Sequence, residues 1–217
     1  MADAAILTPR QRAWHRFAGN RRGWWSLWIF LALFGLSLFA ELLSNDKPIV
    51  AHYQGEYYFP LWHTYPETTF GGDFRSPTDY LDPFIRQQLS RDGNWALYPP
   101  NPYRFDTLNY FAQAANPAPP SADNLLGTDD RGRDVLARLL YGFRVSVLFA
   151  LALTAIGSLL GILAGAVQGY FGGRTDLILQ RLIEIWGSLP ELYLLIIFAS
   201  LFTPSLWLLL ALLSLFG

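Results

Sequence analysis

The sequence predicts an all-α polytopic membrane protein carrying a small mixed extracytoplasmic loop domain. Three observations predict it. First, the 217 residues are 52% hydrophobic, with 16 Phe and 8 Trp, and the apolar residues come in blocks. Trp24 to Leu43 carries a single charge, Glu41; Val145 to Gln168 carries none; Ile185 to Phe202 carries only Glu191. At 1.5 Å of rise per residue these blocks are about 30, 36 and 27 Å long, against a hydrocarbon core of roughly 30 Å. Second, the net charge of -1 hides a strong asymmetry: Arg10, Arg12, Arg16, Arg21 and Arg22 precede the first block against one acid, Asp3. Third, the first two blocks are separated by far more chain than a connecting turn needs.

Residues 1–23 read as a basic arm, and the excess of arginine predicts that this end stays in the cytoplasm. Residues 24–43 read as transmembrane helix 1, a signal anchor with Trp24, Trp25 and Trp28 at the headgroup level. A cleaved secretory signal is excluded because the apolar run is too long, Leu38-Phe39-Ala40 is not a small-x-small cleavage site, and further spans follow. The faint twin-arginine look of Arg21-Arg22 is excluded with it. Residues 44–127 are the aromatic-rich excursion. Twelve acids against seven bases between Asn45 and Asp134 suit an exported segment. Short strands are expected around Tyr53 to Trp62, punctuated by Gly55 and Pro60, and a helix near Asp82 to Ser90, ended by Asp92-Gly93. The stretch ANPAPPSADN reads as a stiff polyproline lead into the LGTDDRGRD segment.

Residues 128–144 read as an amphipathic interfacial helix. Thr128 is placed to cap its first turn, Asp129 and Asp130 suit the positive end of the macrodipole, and Asp134 and Arg138 have the spacing of a helical ion pair. Leu136, Leu139, Leu140 and Phe143 share one stripe, so the helix is expected to lie along the outer membrane surface. Arg131, Arg133, Arg138 and Arg144 then lie outside, against the positive-inside tendency, with the five-arginine arm dominating. Residues 145–168 read as transmembrane helix 2. Gly157, Gly161, Gly165 and Gly169 recur at a spacing of four and form a face that another helix can approach closely. Residues 169–184 are expected to be a cytoplasmic turn with Arg174 and Arg181, and residues 185–202 transmembrane helix 3. Pro190 interrupts that helix, and Glu191, with Glu184 about two turns earlier, puts carboxylate near a substrate pathway or lets it reach headgroup water. Residues 206–217 read as the start of transmembrane helix 4, about 18 Å long.

Enzymatic chemistry has no carrier. The chain lacks a phosphate-binding G-x-x-x-x-G-K-[ST] loop, an H-E-x-x-H zinc motif and a G-x-S-x-G elbow. His15, His52 and His63 are scattered, no metal site is expected, and without cysteine there is neither disulfide nor thiol chemistry. Nothing in the composition points to nucleic acid.

Three motifs bring a family into view. LGTDxxGRDxLxRLxYGxRxS is matched by Leu126-Gly127-Thr128-Asp129, Gly132-Arg133-Asp134, Leu136, Arg138-Leu139, Tyr141-Gly142, Arg144 and Ser146. GxxxGxxxGYxGG is matched from Gly161 to Gly173, and RxxExxxxLP by Arg181, Glu184 and Leu189-Pro190. Together they cover about 65 residues. In these the chain resembles the inner-membrane permease subunits of bacterial ABC importers of the oligopeptide, dipeptide and nickel class. The basic arm and aromatic loop resemble one branch of it, linked to peptide-like compounds such as microcin C. The resemblance implies the ABC importer permease fold and alternating access. It also implies a second permease subunit, cytoplasmic ABC ATPase subunits that hold the ATP and Mg, a periplasmic peptide-binding protein and a peptide substrate, with no cofactor in this chain. Thr128, Asp129, Arg133, Asp134 and Arg138 would serve binding-protein docking or remain a purely interfacial helix; Glu184, Pro190 and Glu191 would line the pathway. Permeases of this family continue through a cytoplasmic coupling loop and two further spans, so a chain truncated within the fourth span is expected. The competing readings are a membrane-anchored sensor or assembly protein whose loop binds ligand, and a channel, for which the spans offer too few polar residues.

Overall fold

The computed structural model describes residues 8–91, 93–108 and 115–216. The chain divides into two compact units, residues 1–144 and 145–217.

The first unit opens with α1, Pro9–Gly19, started by a capping box between Thr8 and Gln11 with Pro at the first turn. Asn20 ends α1 and caps α2, Arg21–Leu38, through its side chain and the Gly23 amide, 3.3 Å apart. The span expected over 24–43 is therefore not one helix. It breaks at Phe39, and α3, Ala40–Leu43, comes next. With two arginines in its first turn and the break at its end, α2 has an apolar run of only about 22 Å.

Beyond it lies a small mixed domain. Strands β1, Val50–Tyr53, β2, Glu56–Tyr58, and β3, Trp95–Leu97, form an antiparallel sheet in the order β2-β1-β3, with Ala51 opposite both Tyr58 and Ala96. The period of two turns Ala51 and Tyr53 inward and His52 outward. The inner face packs on a 3-10 turn, Glu67–Phe70, and on α4, Pro83–Gln88, which Asp82 caps through the Phe84 amide. Gly55 turns the first hairpin as expected, and α4 lies inside the expected 82–90; its proposed stop at Asp92 lies outside the described residues. At the centre Phe70 is fully buried, with the rings of Tyr53, Tyr58, Tyr65 and Tyr80 edge-on around it at 5.3 to 6.1 Å. Asn94 ties the domain together: its side chain accepts from the Gln54 amide at 2.9 Å and donates to the Gln88 carbonyl at 3.1 Å.

The stretch 115–124 is not a stiff lead. Ser121 N–H donates to the Asn124 carbonyl and Thr128 N–H to that of Ala118, folding the segment back onto residues 127 and 128. The separate interfacial helix expected over 128–144 is also corrected. Residues 127–134 form a bonded loop, and α5 starts at Val135 and runs unbroken through Arg144 to Phe171. Its 37 residues span about 56 Å, well over a bilayer core.

In the second unit, the expected turn over 169–184 is mostly helix: α6, Gly173–Gly187, begins after a short break at Gly172. Ser188, Leu189 and Pro190 then interrupt the helix, as Pro190 foretold, and α7, Glu191–Leu201, departs from α6 at 69°. Finally α8 covers Leu206–Phe216. Among the described residues α5 is the one helix long and apolar enough to cross a membrane, and α6 with α7 can do so as one broken span.

Candidate functional site

The densest polar cluster in the first unit lies where α5 begins, and Asp134 is its centre. The residue is 1% exposed. Its Oδ2 accepts the Ala137 amide at 2.7 Å, which makes Asp134 the cap of α5, and the Asn101 side-chain amide at 2.8 Å. Oδ1 accepts from the Asn124 side chain at 2.9 Å. A buried carboxylate needs such partners, because leaving it unpaired in low dielectric costs several kcal/mol. The expected Asp134–Arg138 ion pair is absent for the same reason: capping folds the Asp134 side chain back on its own helix start, away from residue 138.

Arg138 instead joins Asp129. This second carboxylate accepts the amides of Arg131 and Arg133, both at 2.9 Å, and the Arg133 guanidinium at 2.8 Å, with Arg138 on the same oxygen. Burial pushes its carboxyl up, but these donors outweigh it and hold it down at about 2. Thr128 caps no helix. Its hydroxyl donates to Asn116 and accepts from the Ala118 amide, at 3.0 and 2.8 Å. Both glycines of the motif are required by close approach. A Cβ on Gly127 would lie 2.4 Å from the Ala118 carbonyl and one on Gly132 2.4 Å from the Asn116 side chain, and both backbones have positive φ.

The same cluster reaches the end of the first hydrophobic helix. Ser44 donates to the Tyr103 carbonyl at 2.7 Å and accepts from Asn101 at 3.0 Å. Tyr141 donates to the Ser44 carbonyl at 2.9 Å, and Arg144 grips Glu41 with two bonds of 2.8 Å. So early α5 buries Ala137 and Tyr141 and half-buries Arg144, while Leu139 of the predicted apolar stripe is exposed. The sequence reading did not single out Glu41, Ser44, Asn101, Asn116, Asn124 or Tyr141 for this site. A usable signal existed for one pair: Glu41 and Arg144 are opposite charges standing alone at the edges of two apolar blocks.

The other predicted residues do not join this cluster. Glu184 pairs with Arg181 at 2.6 Å on the exposed surface of α6, Pro190 caps α7, and Glu191 opens its first turn, where a carboxylate suits the helix dipole. Around Gly157, Gly161, Gly165 and Gly169 an added Cβ would meet nothing within 4 Å, so none of the described residues packs on that face. Among the described residues no group of three or more His, Asp or Glu is placed to hold a metal ion. The cluster has no nucleophile set beside a base. What it can do is mechanical, since it clamps α3, the end of the mixed domain and the start of α5 to one another.

Residues 8–60 match the family described as the N-terminal TM domain of oligopeptide transport permease C. The inner membrane ABC transporter permease protein YejE of Escherichia coli is 52% identical over 212 residues, covering 97% of this chain and 62% of that protein. Over nearly its whole length the chain is similar to permeases of the peptide-type ABC importers. The peptidoglycan transport system permease protein YejE of Agrobacterium fabrum is 46% identical over 95% of this chain and 60% of its own length. A dipeptide transport system permease protein DppC from Haemophilus influenzae is 37% identical over 58% of the chain and 38% of its own length. The chain is an inner-membrane protein, and it spans about three fifths of the length of the YejE relatives it matches.

Proposed function

We propose that the chain forms part of the translocation pathway of an ATP-driven importer for peptides or peptide-like compounds. The observation that carries this reading is identity above half over nearly the whole chain to a permease, extending through both the mixed domain and α5. In this reading α1 lies on the cytoplasmic side, α2 leads outward, the mixed domain of residues 44–127 is periplasmic, and α5 returns across the bilayer. The length of α5 supports it, because about 20 residues suffice to cross and the turns up to Arg144 then stand outside with the clamp. The broken pair α6–α7 supplies a further span and α8 the start of another, and the open glycine face of α5 receives another helix of the permease or of a second permease subunit.

The clamp's role derives from its bonds. Thr128, Asp129, Arg133, Asp134 and Arg138 are occupied within the chain, so they hold the mixed domain rigid on α5 for a periplasmic binding protein to dock, rather than touching that protein themselves. In this reading cytoplasmic ATPases carry ATP and Mg and drive alternation, and Pro190 and Glu191, at the bend, with Glu184 on α6, line the pathway.

The test is peptide uptake by the full-length permease carrying Asp134→Ala, with the amount inserted in the membrane measured in parallel. Uptake should fall at unchanged insertion, and Glu191→Leu should do likewise. Unaltered uptake in Asp134→Ala would remove the clamp from the transport cycle. Failure of the wild-type permease with its partner subunits to take up any peptide would overturn the proposed function.

A further inference from the structure

We infer that α1 and the elbow at Asn20 form a binding surface for anionic phospholipid headgroups. Between Thr8 and Ala40 the chain holds five arginines and no acid, and none of the five makes an ion pair among the described residues. At 100° per residue Trp14 and Phe17 share one side of α1 with Ala13, Ala18 and, in the first turn, Arg10, while Arg12, His15 and Arg16 occupy the other. The apolar side is anchored. Trp14 and Phe17 meet Trp24 at 5.9 and 6.2 Å, and Trp24 meets Trp28 at 5.7 Å, so one aromatic row runs from α1 into α2.

The elbow fixes this arrangement, because the Asn20 amide donates to the Phe17 carbonyl while its side chain caps α2. Trp14, Trp25 and Trp28 nonetheless stay 56%, 65% and 49% exposed. Exposed indoles on α1 and α2, on a segment that also carries five unneutralised guanidiniums, match a headgroup layer. Trp fills the apolar–polar boundary, and Arg binds phosphate oxygens in pairs. Charge complementarity therefore selects an anionic bilayer over a zwitterionic one.

The inference rests on the reading that α2 enters the bilayer, and not on transport. Because the chain has no cysteine, Ala13→Cys places one fluorescent label on the apolar side of α1, and Trp207→Cys places a control label on α8. The protein is reconstituted in phosphatidylcholine vesicles containing phosphatidylglycerol, with one or the other lipid brominated as quencher. At residue 13 the preference for phosphatidylglycerol should be ~5-fold or more, the contribution of about one surface arginine. It should fall with added salt and approach one when Arg10, Arg12, Arg16, Arg21 and Arg22 are all replaced by Ala. Equal quenching by both lipids at residue 13, an equal preference at residue 207, or a preference that survives the five substitutions would each overturn the inference. Maleimide reactivity of the same cysteine in sealed vesicles reports the face that α1 occupies. A periplasmic α1 that keeps its lipid preference would overturn the proposed topology and leave the lipid surface standing.

Discussion

Phe70 is fully buried among four tyrosines, whereas Leu192, Tyr193 and Leu201 of α7, no less apolar, stand 65% to 71% exposed. The contrast extends over two whole regions. From Ala40 to Arg144 apolar rings find one another across a sheet, and polar side chains pair over long sequence distances, as in Asn101 to Asp134 and Arg144 to Glu41. From Val145 onward α6 and α7 have no buried residue, and the glycine face of α5 is bare. Water is the solvent that drives the first arrangement. In the second, apolar exposure carries no penalty in lipid, and only the backbone must be satisfied internally, which helices do. One chain therefore carries two solvents' rules, and the boundary falls near Arg144.

Substitutions separate the two regimes. The largest effect is expected from Phe70→Ala, which leaves a cavity inside a ring of tyrosines and should cost about 4 kcal/mol. Hydrogen exchange in β1 should then accelerate steeply while that of α5 beyond Arg144 stays as it was. Equal acceleration in both would break the division. Asp134→Ala comes next, at about 3 kcal/mol, because it removes a helix cap and strands the amide groups of Asn101 and Asn124 in a buried site. Asp134→Asn keeps an oxygen for Ala137 but turns a donor toward another donor, so thermal unfolding followed through the mixed domain should place it between wild type and Ala.

The sequence carried the lipid-facing region more plainly than the packed one. Apolar blocks, Pro190 and the absence of charge from Val145 to Gln168 are local signals, and α5, α7 and α8 appear where those signals lie. Asp82 before Pro83 also announced α4. The mixed domain was legible only as a size and a few turns, because β1 pairs with β3 more than forty residues on and nothing local marks the partner. The clamp was misread through its best local pattern. Asp134 and Arg138 have ion-pair spacing, yet Asp134 is drawn to its own helix start by the Ala137 amide and to Asn101, 33 residues away. Glu41 and Arg144 meet across 103 residues. The glycine spacing was legible as a face, and none of the described residues covers it.

A smaller effect comes from acid. The Asp129 carboxyl sits at about 2 in the folded chain against an ordinary 3.8. A carboxyl lowered by folding adds stability that is fully present above its unfolded value and is lost as pH falls through the folded one. The loop 127–134 should therefore loosen between about pH 4 and 2, read as faster exchange at the Arg131 and Arg133 amides relative to the Gln54 amide. Asp129→Asn should abolish that step, and a step that persisted would assign it to another carboxyl.

The smallest effect on the chain itself is expected at Gly161, and it bears most directly on the contrast. A side chain there meets nothing within 4 Å, and Ile is tolerated in a lipid-facing helix, so Gly161→Ile should leave insertion and the exchange of α5 amides unchanged. If the bare face is the site where another helix packs, the same substitution should block that approach, and the full-length permease should co-purify less of its second permease subunit. Gly142→Ile is the matched control, since it too meets nothing but lies outside the glycine register. Equal loss from both would make the defect a general one. Loss from Gly161→Ile alone would show that the exposure of this region is split, with lipid on most of its surface and protein on one narrow face.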